Sequence, residues 1–182
     1  MLAWLASTSG GLLLGLSFLF QSLGYFAYLA FVPLFFYIRT AACGPIYRHA
    51  LWMGFISFSL ANHWIYFFLF NLTDSHWLAT GVSISYFFYG ANAIALLFIL
   101  LNQLRQRIPE YGFILCAPVL AALWLHSFPL LFEFNLAQTQ VNFPLITAPI
   151  RLTCQWSLTI LIVLINLLLA EWILIISRKI GG

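Results

Sequence analysis

The chain has 182 residues, of which 64% are hydrophobic and only 6% are charged. A soluble domain carries about a quarter charged residues, so this composition excludes a soluble globular protein and predicts an integral membrane protein. The formal net charge of +3 comes from basic residues scattered between apolar runs, which form no patch for nucleic acid. The three cysteines have neither CxxC spacing nor a histidine at ligand spacing, so we expect no disulfide framework, metal site or cofactor.

A helix needs roughly 20 apolar residues to cross a bilayer, and six stretches of the chain approach this length. The predicted spans are 2–20, 25–42, 51–71, 77–104, 111–131 and 156–176. The second span is short in apolar residues, and Pro33 within it is expected to kink the helix. The predicted fold is therefore all-α, a single polytopic membrane domain over residues 1–182 with about six transmembrane helices.

The third span carries polar residues at helical spacing. Ser59, Asn62, His63 and Tyr66 are three or four residues apart, so a continuous helix would place them on one face. Unpaired polar groups are costly in hydrocarbon, so this face should meet protein rather than lipid. Two interpretations remain open, a helix contact held by hydrogen bonds and a polar pocket for a lipid head group or substrate.

The fourth span has a similar stripe, which could pair with that of the third. Its members are Ser85, Tyr89 and Asn92.

Segment 132–155 mixes amide, carboxylate and proline residues with aromatic and aliphatic ones. It is too polar to span the membrane and too apolar for a free loop, so we predict an interfacial or re-entrant segment. Glu133 and Gln140 are its candidate binding residues. His126 lies near the outer end of the fifth span and could face Glu133, either as an acid–base pair or as a histidine satisfied by interfacial hydrogen bonds.

The basic residues indicate an orientation. Six of the seven lie on one side of a six-span arrangement, with only Arg151 on the other. These six are Arg39, Arg48, Arg105, Arg107, Arg178 and Lys179. The positive-inside rule then places both termini in the cytoplasm.

No nucleophile with a neighbouring base and no phosphate-binding loop can be recognised in the sequence. We therefore assign no catalytic residue and expect no catalysis by this chain on its own. The candidate lipid- or partner-binding residues are Asn62, His63, Tyr66, His126, Glu133 and Gln140.

Several stretches together resemble the membrane domain of the apolipoprotein N-acyltransferase family, bacterial enzymes that add the third acyl chain to lipoproteins. The stretches are 11–18, 28–34, 54–55, 63–66, 117–120 and 139–150. The resemblance implies a multi-pass protein of the bacterial inner membrane with a cytoplasmic N-terminus. The family's nitrilase-like domain, with its Glu-Lys-Cys catalytic set, has no counterpart in these 182 residues, and Cys43, Cys116 and Cys154 do not match its nucleophile.

Two hypotheses about function follow. The first is a non-catalytic membrane subunit, which acts as a structural, anchoring or lipid-binding component of a complex. The alternative is the membrane half of a split phospholipid-dependent N-acyltransferase that works with a separate nitrilase-like chain. Both imply membrane phospholipids and other membrane protein subunits as partners.

Overall fold

The computed structural model describes residues 2–40, 45–132, 134–148 and 154–181, and these residues form helices and connections without any β-strand. The α-helices are α1 (Leu2–Leu19), α2 (Ala27–Ala30), α3 (Val32–Thr40), α4 (Ile46–Ala61), α5 (Trp64–Thr73), α6 (His76–Arg107), α7 (Glu110–Ser127), α8 (Pro144–Thr147) and α9 (Gln155–Gly181). In the same described ranges, 3-10 helices lie at Gln21–Phe26 and Leu136–Gln140. The predicted all-α class is confirmed.

Within the part of the chain that the structure describes, four helical stretches are long and apolar enough to cross a membrane. They are Gln21–Arg39, His76–Arg107, Glu110–Ser127 and Gln155–Ser177. Helices α4 and α5 would add a fifth if they cross as one bent span, and α1 is apolar but shorter, from Ala3 to Leu19. The protein is therefore a polytopic helical membrane protein, while the count of six spans stays a prediction.

The predicted interfacial or re-entrant segment, as far as it is described, contains only short helices. The 3-10 helix Leu136–Gln140 packs against the 3-10 helix Gln21–Phe26 and against α9, and α8 follows with four residues. Neither helix is long enough to cross the hydrocarbon core.

The helix of the third predicted span is broken. Helix α5 is bent by 61° from α4, and Asn62 at the break has φ −116° and ψ 23°. The Asn62 side-chain amide donates to the Phe58 carbonyl at 3.3 Å, and His63 Nδ1 lies 3.0 Å from the Leu60 carbonyl. Such side-chain bonds compete with the regular backbone ladder. The expected continuous polar face is thus divided between two helices of different direction.

The core forms where α4 crosses α6 and α1 through small residues. Gly54 on α4 lies so close to α6 that an added Cβ would be 2.8 Å from the Ala91 Cα and carbonyl oxygen. On α6, Gly90 faces the buried ring of Phe58, which in turn stacks on Phe134 with ring centroids 4.3 Å apart. Small residues of this kind allow membrane helices to approach closely, because dispersion contacts replace the hydrophobic effect there.

A second helix break lies between α2 and α3, and a side chain of α9 satisfies the backbone groups that it leaves without a partner. The fully buried Asn166 accepts a hydrogen bond from the Phe31 backbone N–H at 2.8 Å and donates to the Ala27 carbonyl at 2.8 Å. In an uninterrupted helix those two backbone groups would bond to each other. The break lies two residues before Pro33, whose ring and missing N–H disturb the preceding turn, as the sequence predicted.

We predict that Gly54→Ala destabilises the protein by about 1–3 kcal/mol, because the new methyl group overpacks the crossing of α4 and α6. Thermal unfolding in mild detergent, followed by circular dichroism, measures the change. Gly81→Ala is the matched control, since an added Cβ at Gly81 meets nothing within 4 Å. Equal stability of the two variants would contradict the crossing described above.

Candidate functional site

The candidate residues of the third predicted span lie on both sides of the break. Tyr66 donates or accepts a hydrogen bond with His76 Nδ1 at 2.9 Å, which ties α5 to the start of α6. The His76 ring also stacks on Phe70, with centroids 4.3 Å apart. His63 is exposed, and Asn62 is half-buried against its own helix.

His63 and Tyr66 help to line a groove of about 460 Å³ between α4–α5 and α6. The complete lining is Ser59, His63, Tyr66, Phe67, Thr80, Ser83, Ile84 and Phe87. The hydroxyl of Ser83 is buried and has no hydrogen-bond partner in the structure. The groove therefore combines an apolar wall with one unsatisfied polar group.

The polar stripe of the fourth predicted span does not pair with that of the third. Asn92 Oδ1 accepts a hydrogen bond from the Tyr47 hydroxyl at 2.8 Å, and the Tyr89 hydroxyl donates to the Pro129 carbonyl at 2.7 Å. Both contacts secure neighbouring segments to α6. The residues of α6 that do line the groove, including Ser83, had not been singled out in the sequence, because they lie on a different face from that stripe.

His126 lies in a separate place, at the end of α7. Its ring packs on Trp156 with centroids 4.5 Å apart, beside a narrow pocket that Asn135 and Thr159 also line. The suggested His126–Glu133 pair stays a prediction, because Glu133 lies outside the described residues.

Gln140 holds two segments together. Its fully buried side chain donates from Nε2 to the Gly24 carbonyl at 2.7 Å and to the Thr139 hydroxyl at 2.8 Å, while its Oε1 has no hydrogen-bond partner. A Cβ at Gly24 would collide with the Thr139 carbonyl, so only glycine allows this approach. The predicted binding residues thus fall into three separate places rather than one site.

A charged cluster lies at the opposite end of the helices from His76. Arg39 forms ion pairs with Glu171 of α9 and with Glu110 of α7, the latter at 3.0 Å. Arg105 donates to the Ile38 carbonyl beside this cluster. The Arg39 and Glu171 side chains are only 12% and 15% exposed, so their charges are largely removed from solvent.

Glu171 lies about two helical turns before Arg178 in the sequence, a spacing that predicts a carboxylate reaching towards the inner membrane interface. A carboxylate inside an apolar helix signals a buried partner, because an unpaired charge in hydrocarbon is costly. That signal cannot identify Arg39, which is 132 positions away along the chain.

The described part of the chain contains no group of three His, Cys, Asp or Glu residues that could hold a metal ion. Cys116 and Cys154 are free and exposed, and Cys43 lies outside the described residues.

The long apolar helices, their close glycine crossings and their buried polar ties define a polytopic helical membrane domain. The chain belongs to the apolipoprotein N-acyltransferase N-terminal domain family, since the model of that family matches residues 10–168. The resemblance stated above is thereby confirmed. No curated protein and no solved structure matches the chain.

We predict that Arg39→Gln lowers the free energy of unfolding by about 3–5 kcal/mol, because it leaves the Glu171 carboxylate buried without a partner. Removal of both charges, in Arg39→Gln with Glu171→Gln, should restore most of the loss. Denaturant titration of the detergent-solubilised protein measures both effects. Arg107→Gln, at an exposed arginine of the same end, is the control; a double variant no more stable than Arg39→Gln would contradict the charge argument.

Proposed function

We propose that this chain is a non-catalytic membrane domain that binds a phospholipid and serves as a structural and anchoring component of a membrane complex. The observation that carries the proposal is the groove between α4–α5 and α6. Its volume of about 460 Å³ lies within the range of ligand pockets, which is roughly 300–1,000 Å³.

The chemistry of the groove suits an acyl chain joined to a polar group. Phe67, Ile84 and Phe87 provide an apolar wall along which an acyl chain can lie. The Ser83 hydroxyl in the same groove has no protein partner, and a buried unpaired hydroxyl costs about 1–3 kcal/mol. Rotation of this buried hydroxyl towards the groove would let an ester or phosphate oxygen of a phospholipid accept its hydrogen bond and remove this cost.

The proposed location is the bacterial inner membrane, with both termini in the cytoplasm. Its support is the collection of basic side chains at one end of the helices. Arg39 and Arg105 meet there, and Arg48 and Arg107 lie in the adjoining turns of α4 and α6. Cytoplasmic ends of membrane helices carry such an excess of arginine and lysine.

We expect Ser83→Leu to reduce phospholipid binding in the groove by about fivefold or more, because it fills the space and removes the free hydroxyl. The measurement is photocrosslinking with a phosphatidylcholine that carries a diazirine on one acyl chain, with the modified peptides identified by mass spectrometry. Ser85→Leu is the control on the same helix, because the Ser85 hydroxyl is exposed and bonds to its own backbone. Equal labelling of α5 and α6 peptides in both variants would remove the support for the groove.

Family membership favours a second candidate, the membrane half of a split phospholipid-dependent N-acyltransferase. In this case a separate nitrilase-like chain would dock on the domain and use the same bound phospholipid as its acyl donor.

Gentle solubilisation from the native membrane, purification and mass spectrometry of the associated proteins separate the two candidates. We expect a stable complex without a nitrilase-like chain. A stoichiometric nitrilase-like chain, together with acyl transfer that Gln140→Ala lowers, would instead establish the split enzyme.

A further inference from the structure

A second groove lies at the basic end of the protein, where α4 meets α1 and α6. Its volume is about 210 Å³. Its lining residues are Trp4, Arg48, Leu51, Trp52, Phe55 and Phe88. None of them lines the groove described above, and none belongs to the Arg39 cluster.

Arg48 differs from Arg39 and Arg105 in its hydrogen-bond and ion-pair partners. Arg39 is paired with two carboxylates, and Arg105 donates to a backbone carbonyl. Arg48 is exposed at the mouth of the groove and makes no hydrogen bond or ion pair with the part of the chain that the structure describes. Both carboxylates at this end, Glu110 and Glu171, are bound by Arg39. The groove therefore presents an uncompensated positive charge.

An apolar track leads away from this charge. Arg48, Leu51, Trp52 and Phe55 recur at helical spacing and so lie on one face of α4 over about 10 Å. The Phe55 ring packs on Phe88 of α6, with centroids 4.5 Å apart. One cationic group is thus followed by two helical turns of aliphatic and aromatic surface.

The aromatic walls of the groove are held in place. The Trp52 indole N–H donates to the Thr8 hydroxyl at 2.9 Å, which fixes its ring against α1. The Trp4 ring packs edge-on against Trp52, with centroids 6.2 Å apart, and rests on His49 at 4.6 Å. Tryptophan is enriched at the membrane–water interface, where one part of the ring is apolar and the other is hydrated. The tryptophans therefore indicate that the Arg48 end of the groove lies at the depth of the lipid head groups.

We propose that this groove binds an anionic phospholipid of the cytoplasmic leaflet, with its phosphate at Arg48 and an acyl chain along Leu51, Phe55 and Phe88. An amphipathic anion matches both the charge and the track, whereas a free phosphate ion leaves the apolar track unoccupied. Basic pockets between helices on the cytoplasmic side are suited to anionic head groups, because the lipids of that leaflet carry the negative surface charge. This site is independent of the proposed function, since it lies at the other end of α4.

Titration of the purified, detergent-solubilised protein with phosphatidylglycerol tests the proposal, with the melting temperature as the measurement. Phosphatidylglycerol should raise the melting temperature in a saturable manner, and Arg48→Gln should raise the half-saturating concentration about tenfold. Arg107→Gln should leave it unchanged, because Arg107 is an exposed arginine of the same end that does not line the groove. Phosphatidylcholine, which carries no net charge, should affect the wild type and Arg48→Gln equally, and inorganic phosphate should have little effect.

A variant of the apolar track keeps the test informative if Arg48→Gln folds poorly. Phe88 is 46% exposed, so Phe88→Ala should fold, and it should weaken binding of long-chain phosphatidylglycerol but not of a dihexanoyl form. Equal effects of Arg48→Gln and Arg107→Gln would overturn the proposal, as would stabilisation by inorganic phosphate alone, which would reveal a simple anion site. A co-purifying membrane protein that must be removed before the lipid binds would also overturn it, because the groove would then be a protein interface.

Discussion

The buried amide of Asn166 is the contact on which the arrangement of the second and last predicted spans depends. The helix that contains Pro33 is broken, and a broken helix in hydrocarbon exposes backbone groups that water cannot satisfy. Asn166 offers one donor and one acceptor at the break, so it replaces the missing backbone bond between Phe31 and Ala27. Glu171, five residues further along α9, binds Arg39 near the end of α3. Two polar contacts from one helix thus fix α3 against α9.

Other polar side chains also join separate segments of the fold. Gln140 joins two segments through the Gly24 carbonyl, and Tyr66 joins α5 to α6 through His76. Arg39 and Glu171 neutralise each other, so their charges are not available to a ligand. Among the polar groups that have no partner in the described part of the chain, the Ser83 hydroxyl and the Arg48 guanidinium each line a groove with apolar walls.

The candidate residues show which features of a site can be predicted from the sequence and which cannot. The polar positions of the third predicted span do lie near a groove, because polar groups in an apolar helix must face something other than lipid. The bend at Asn62 divides the helix in two, but Ser59, His63 and Tyr66 still line one groove, while Asn62 bonds to its own helix. No proline lies at this bend, so the rule that marked the break before Pro33 gives no signal there. Sequence reasoning did not identify the contact of His126 with Trp156 or the hydrogen bond from Gln140 to the Gly24 carbonyl.

Sequence reasoning alone was sufficient to predict an all-helical membrane domain and the family that it resembles. Composition and the length of apolar runs decide this, because only helices satisfy every backbone group locally within a bilayer. The break before Pro33 was also evident, since it follows from the covalent structure of proline. Only the folded structure shows that Asn166 bonds to Phe31 and Arg39 to Glu171, each pair more than 130 positions apart, and where the two grooves lie. Pairing of distant residues depends on how helices pack against one another, and helical periodicity within one segment carries no information about that packing.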